Sequence, residues 1–160
     1  MARRELAVTH RHPGVSVEAK QVRALIEALD AAKDLFEGGC PEGELSIVFM
    51  TDKELAQLHG TFLDDPTVTD VITFEGEPAH GVAGEICVSA DAALRQAGKK
   101  GFARELALYV IHGWLHLAGY DDVKPALKRH MRRAEARALN VADQAKALPR
   151  FTLKAGRKSR

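Results

Sequence analysis

The run "FARELALYVIHGWLHLA", residues 102–118, constrains the fold more than any other stretch. Its apolar residues, Leu106, Leu108, Val110, Ile111, Trp114, Leu115 and Leu117, leave a helical wheel with no polar face. A helix of that kind has to be covered on every side, so it belongs at the centre of the molecule. At 160 residues the chain is one domain by length and can bury a core around such a helix without disulfides.

The remaining segments supply the cover. "RELAVTHRH" reads as a first strand. "SVEAKQVRALIEALDAAKDLF" repeats Val22, Leu25, Ile26, Leu29 and Ala32 at helical spacing, with Ser16 as its N-cap. "ELSIVFM" is continuously β-prone and reads as a central strand. Thr51 and Glu54 then form a capping box that opens "DKELAQLHGTFL" as a short helix. "VTDVITF" and "GEICVSA" are two further strands flanking a Gly/Pro loop, and Ser89 caps a helix over "DAALRQAGKK". "PALKRHMRRAEARAL" is the last helix, with Pro125 in its first turn. The expectation is an α+β domain: a small mixed sheet of about four strands covered by helices around one buried helix. The domain is placed at residues 1–153, with 154–160 as a loose basic tail.

Within the central helix, His112 and His116 stand four residues apart and share a face. Burying two imidazoles in so apolar a helix is costly unless each finds a partner, either a backbone carbonyl or a metal. Gly119 fits the left-handed residue that ends a helix and turns the chain back. That turn brings Asp122, with Asp121 as its neighbouring rival, into reach of the histidines. Two imidazoles and a carboxylate with an open fourth position match a catalytic zinc centre better than a structural one. Gly113 stands where the HExxH metalloproteases carry their general base, which disfavours a peptidase.

Composition narrows the setting. Cys40 and Cys87 lie far apart in sequence, with no Cys or His at zinc-finger spacing, and read as small residues in a reducing compartment. No apolar run suits a signal peptide or approaches the roughly 18 residues of a membrane span, so the chain is expected in the cytoplasm. The net charge of +1 hides an asymmetry. Residues 1–91 hold 7 Lys and Arg against 17 Asp and Glu, whereas residues 92–160 hold 16 against 5. The basic half faces either a polyanion or the acidic half.

"HGWLHLAGYD" resembles the signature H-G-x-L-H-L-x-G-Y-D-H of the YbeY family of endoribonucleases, which act in ribosomal RNA maturation. "PTVTDVITFE" is similar to the family's P-T-D-V-L-S-F stretch, "GEICVSADAALRQA" to its G-[DE]-I-x-I-S segment, and "RELALYVIHG" to the start of its metal helix. The likeness covers roughly residues 44–139. It implies an α+β domain that hydrolyses single-stranded RNA with one zinc per chain, acts in 16S ribosomal RNA maturation and ribosome quality control, and works on the ribosome. Two positions depart from the pattern. Asp122 stands where the family has a third histidine, which adds negative charge and suits a harder ion. Leu63 stands where the family has an arginine, which removes a phosphate contact.

On this reading His112, His116 and Asp122 hold the metal, and a water activated there does the chemistry with no separate base assigned. Glu105 and Asp121 are expected to steady the ligands from behind. Lys128, Arg129, Arg132, Arg133 and Arg137 are expected as an RNA-contacting stripe, the alternative being a solvated face. His10, His12, His59, His80 and His130 are expected at the surface, with His130 the one able to reach the site, and Asp70 is expected to line the cleft. The competing function is a ribosome-assembly factor that binds without cutting, its metal site degenerate.

Overall fold

"ELSIVFM" lacks the alternation of a half-exposed strand, and the fold gives it a layer on each face. The computed structural model of the chain describes residues 4–63 and 70–153, with the backbone alone at 61–63. In order, its elements are β1 (Leu6–His10), β2 (Val15–Ser16), α1 (Ala19–Ala31), β3 (Glu44–Met50), α2 (Asp52–Leu63), β4 (Val71–Glu75), β5 (Val82–Ser89), α3 (Ala90–Gln96), α4 (Phe102–Leu117), α5 (Pro125–Gln144) and β6 (Thr152–Leu153). Short 3-10 turns occupy Lys33–Phe36, Pro78–His80 and Gly98–Lys100.

The four-stranded sheet runs β1-β3-β5-β4. β3 is parallel to both neighbours, and β4 joins β5 antiparallel. Leu45, Ile47, Phe49, Ile86 and Val88 face the larger core, shared with α1, α4 and α5. Val48, Met50, Ile72 and Cys87 face a smaller one, closed by Leu55 of α2. The mixed sheet with helices on both faces is the α+β architecture expected.

α4 is the central helix. Leu106, Ile111, Trp114 and Leu115 are fully buried, each contributing about 1.5–3 kcal/mol by burial. Its contact with the sheet is so close that a Cβ on Gly113 would lie 2.4 Å from Ile86 Cγ2. The residue between the histidines is therefore glycine for a packing reason, and a larger side chain there would push α4 off β5. On its far side Trp114 Nε1 donates to Asp30 at 3.1 Å, and the ring meets Phe36 edge-on at 5.4 Å. Arg4 grips the same Asp30 at 2.8 and 3.1 Å.

The local signals were accurate where partners are near in sequence. Thr51 Oγ1 accepts the Glu54 N–H at 3.2 Å while Glu54 accepts the Thr51 N–H at 3.4 Å. Ser89 Oγ accepts the Ala92 N–H at 3.0 Å. Ser16 corrects the expectation. Its backbone pairs with Thr152 across β2 and β6, so α1 begins two residues past Val17, with Glu18 at its N-cap. α5 runs on to Gln144, past the expected Leu139, because Ala142 still reaches the core.

Candidate metal centre

The C-terminal half of α4 carries His112 and His116 on the helix's half-exposed strip. Gly119, at φ +111°, closes the helix with its N–H on the His116 carbonyl at 3.0 Å. The chain then doubles back, and Asp121 fixes the loop. Its Oδ1 accepts the N–H of Asp122 at 2.7 Å and of Val123 at 3.3 Å. Asp122 is thereby aimed at both imidazoles, 3.5 Å from His112 Nε2 and 3.7 Å from His116 Nε2.

One ligand atom from each of the three lies within 4.8 Å of the others. A tetrahedral ion with bonds of about 2.0–2.1 Å holds its ligand atoms about 3.4 Å apart. The Asp122 separations of 3.5 and 3.7 Å are close to that, so the donor set fits a divalent cation. The rings stand edge to face at 4.7 Å between centroids.

A fourth residue completes the arrangement, and sequence reading missed it. Glu135 of α5 accepts from His112 Nδ1 at 2.6 Å and is only 8% exposed. Placing the proton on Nδ1 leaves the Nε2 lone pair free for a metal. The available signal was positional: Glu135 falls on the stripe of Met131, Ala134, Ala138 and Ala142 that α5 buries. A carboxylate on a buried stripe needs a partner.

Burial, reinforced by the neighbouring His112, lowers the His116 pKa below its ordinary value of 6.5 against the opposing pull of Asp122 and Asp121. Its neutral, metal-binding form is favoured at neutral pH.

Three expected roles change. Glu105 is two helical turns from His112, about 10.5 Å along the axis, and its neighbour is the Tyr109 phenol. Burial, then the carboxylates of Glu105 and Asp70, push that phenol up. Asp121 holds loop backbone rather than an imidazole. Arg137 leaves the basic stripe: it donates to the Leu35 carbonyl and the Tyr120 hydroxyl and lies over the Phe36 ring at 5.3 Å. Lys128, Arg129, Arg132 and Arg133 are exposed, with no ion pair among the described residues.

Other assignments resolve simply. His130 stacks on Tyr120 and pairs with Glu37 at 2.8 Å, which turns it away from the centre. His12, expected at the surface, is half-buried and pairs with Asp91 at 2.7 Å. His59 is half-buried on α2, while His10 and His80 are exposed. Asp70 accepts the Ser89 N–H on its backbone carbonyl at 2.9 Å, just before β4. The Leu63 side chain, residues 68 and 69 at the start of the expected strand, and the tail 154–160 lie outside the described residues.

The family model for Endoribonuclease YbeY matches residues 8–143. The chain belongs to the YbeY family. It is 32% identical over 147 residues to an endoribonuclease YbeY of Salinibacter ruber, covering 85% of this chain and 90% of that one. It is 36% identical over 144 residues to one of Chlamydia pneumoniae, covering 84% and 85%. In fold it is similar to a Thermotoga maritima protein solved in solution, with TM-score 0.57 and 24% identity over 88% of this chain and 91% of that one. The matched segment contains all four residues of the centre.

Proposed function

We propose that the chain is a metal-dependent endoribonuclease that hydrolyses single-stranded RNA, with zinc as its ion and ribosomal RNA, including 16S maturation and ribosome quality control, as its setting. The observation that carries the reading is the convergence of His112, His116 and Asp122 with Glu135 behind His112, in a chain of a family whose relatives are named endoribonucleases.

His112 Nε2, His116 Nε2 and one Asp122 oxygen would hold the ion. When bound, it supplies Lewis acidity towards a phosphoryl oxygen and lowers the pKa of a water towards ~7. Glu135 keeps the His112 proton on Nδ1 and adds basicity to Nε2. The ring pair and the Asp121-braced loop keep the ligand atoms in place before any ion arrives, so little ordering remains to be done on binding. Lys128, Arg129, Arg132 and Arg133 supply phosphate contacts and steepen the salt dependence of RNA binding. Two buried free cysteines accord with a reducing compartment such as the cytoplasm. No described helix is long and apolar enough to cross a membrane.

The test is elemental analysis of the purified protein beside Asp122→Ala and Asp122→His, followed by cleavage of single-stranded ribosomal RNA with and without chelator. About one zinc per native chain, lost in Asp122→Ala and kept in Asp122→His, with chelator-sensitive cutting, is the expected result. Metal only in Asp122→His, together with ribosome binding but no cutting, would establish the assembly-factor reading instead.

A further inference from the structure

α5 begins at Pro125, three residues after the ligand Asp122. α4 stops at Leu117, and residues 123–130 are all exposed. Two of them are large and apolar, Val123 at 75% and Leu127 at 37% exposure. Single exposed apolar residues are ordinary. Leu127 lies in the first turn of α5, and Val123 precedes that helix as the residue directly after the ligand Asp122. Val123 is also held in place, since Asp121 Oδ1 accepts its N–H at 3.3 Å.

Exposed cations lie alongside them. Lys124 and Lys128 lie one turn apart on the adjacent row, and Arg132 continues it; none has a carboxylate within ion-pairing distance among the described residues. A ligand suited to this surface alternates negative charge with flat apolar faces, as an unpaired polynucleotide does.

We propose that Val123 and Leu127 form an apolar lip on which a base of single-stranded RNA rests beside the metal centre, with Lys124 and Lys128 on the flanking phosphates. The proposal rests on the endoribonuclease reading and supplies a physical basis for preferring single strands. In a duplex the base faces are stacked on their neighbours and cannot lie on the lip.

The test uses fluorescence anisotropy of the metal-loaded protein with a 2′-O-methyl oligoribonucleotide and with the same oligonucleotide carrying abasic riboses, over a range of salt. Val123→Ser with Leu127→Ser should weaken binding of the intact probe about fivefold at unchanged salt slope, the amount expected from losing two modest apolar contacts. The abasic probe should bind the native protein about fivefold more weakly and lose nothing further on that variant. Leu127→Ser alone, clear of the ligand loop, should give part of the loss with metal content at the native level. Lys124→Gln with Lys128→Gln should flatten the salt slope by about one and a half. If the apolar variants bind both probes as the native protein does, or if the two losses multiply, the lip is wrong while the endoribonuclease reading stands. A native protein that binds neither probe at any salt would overturn both.

Discussion

Two of this molecule's histidine–carboxylate pairs, His12–Asp91 and His112–Glu135, invite comparison, because only the second belongs to a candidate metal centre. His12 leaves the end of β1 with Nε2 2.7 Å from Asp91, while its Nδ1 accepts the Gly14 N–H at 3.0 Å. Both ring nitrogens are spent. Asp91 also accepts the Asp52 N–H at 2.9 Å, and Asp52 accepts from Ser89 at 2.8 Å and pairs with Arg95. The result ties the first turns of α2 and α3 to the end of the sheet. His112 has the same chemistry on one side, with Glu135 at 2.6 Å on Nδ1, but its Nε2 faces only other potential ligands. A histidine becomes a ligand through the nitrogen left over.

That contrast can be broken experimentally, beginning where the effect should be largest. His116→Ala removes a ligand and should abolish RNA cleavage, by a factor of about a thousand or more, with RNA affinity little changed in a filter-binding assay. Cleavage near the native rate would remove the metal centre from the mechanism. Glu135→Gln should weaken metal affinity about tenfold in competition with a chromophoric chelator, and His12→Ala should leave that affinity as it is. Equal effects from both would erase the distinction between the pairs.

His12→Ala should instead cost stability, about 1–2 kcal/mol, read as a lower urea midpoint at unchanged slope. The smallest effect concerns acid. In metal-stripped protein the lowered His116 pKa means that the unfolded chain binds the extra proton first, so this contribution to stability falls as pH drops below about 6.5. Asp91 acts with the same sign in a more acidic range. Although burial pushes the other way, the Asp52 N–H and His12 hold its carboxyl below the ordinary value of 3.8. Its contribution is present above that pH and lost as pH falls through the lowered folded value. Thermal melts against pH should show the first loss removed in His116→Ala and the second reduced in His12→Ala.

Much of the centre was legible because its parts are close in sequence. The spacing of His112 and His116, the terminating Gly119 and the following Asp122 lie within eleven residues, where helix geometry fixes direction almost alone. Glu105 was misplaced for a related reason. Sharing a face is necessary for contact, but seven residues of axial rise separate it from His112 beyond side-chain reach. Ser16 failed on competition: a good capping residue was taken by a strand whose partner lies more than a hundred residues away.

The chain's own sequence determined the buried helix, the capping box at Thr51, the cap at Ser89 and the paired imidazoles, because each depends on hydrogen bonds or periodicity spanning a few residues. Only the tertiary structure decided that Glu135 meets His112, that Arg137 turns inward to Phe36 while its neighbours face solvent, and that Gly113 is required by the Ile86 side chain. Those outcomes depend on how α4 lies against β5 and how α5 lies against α4, and side-chain contacts between distant segments have no period in the sequence to announce them.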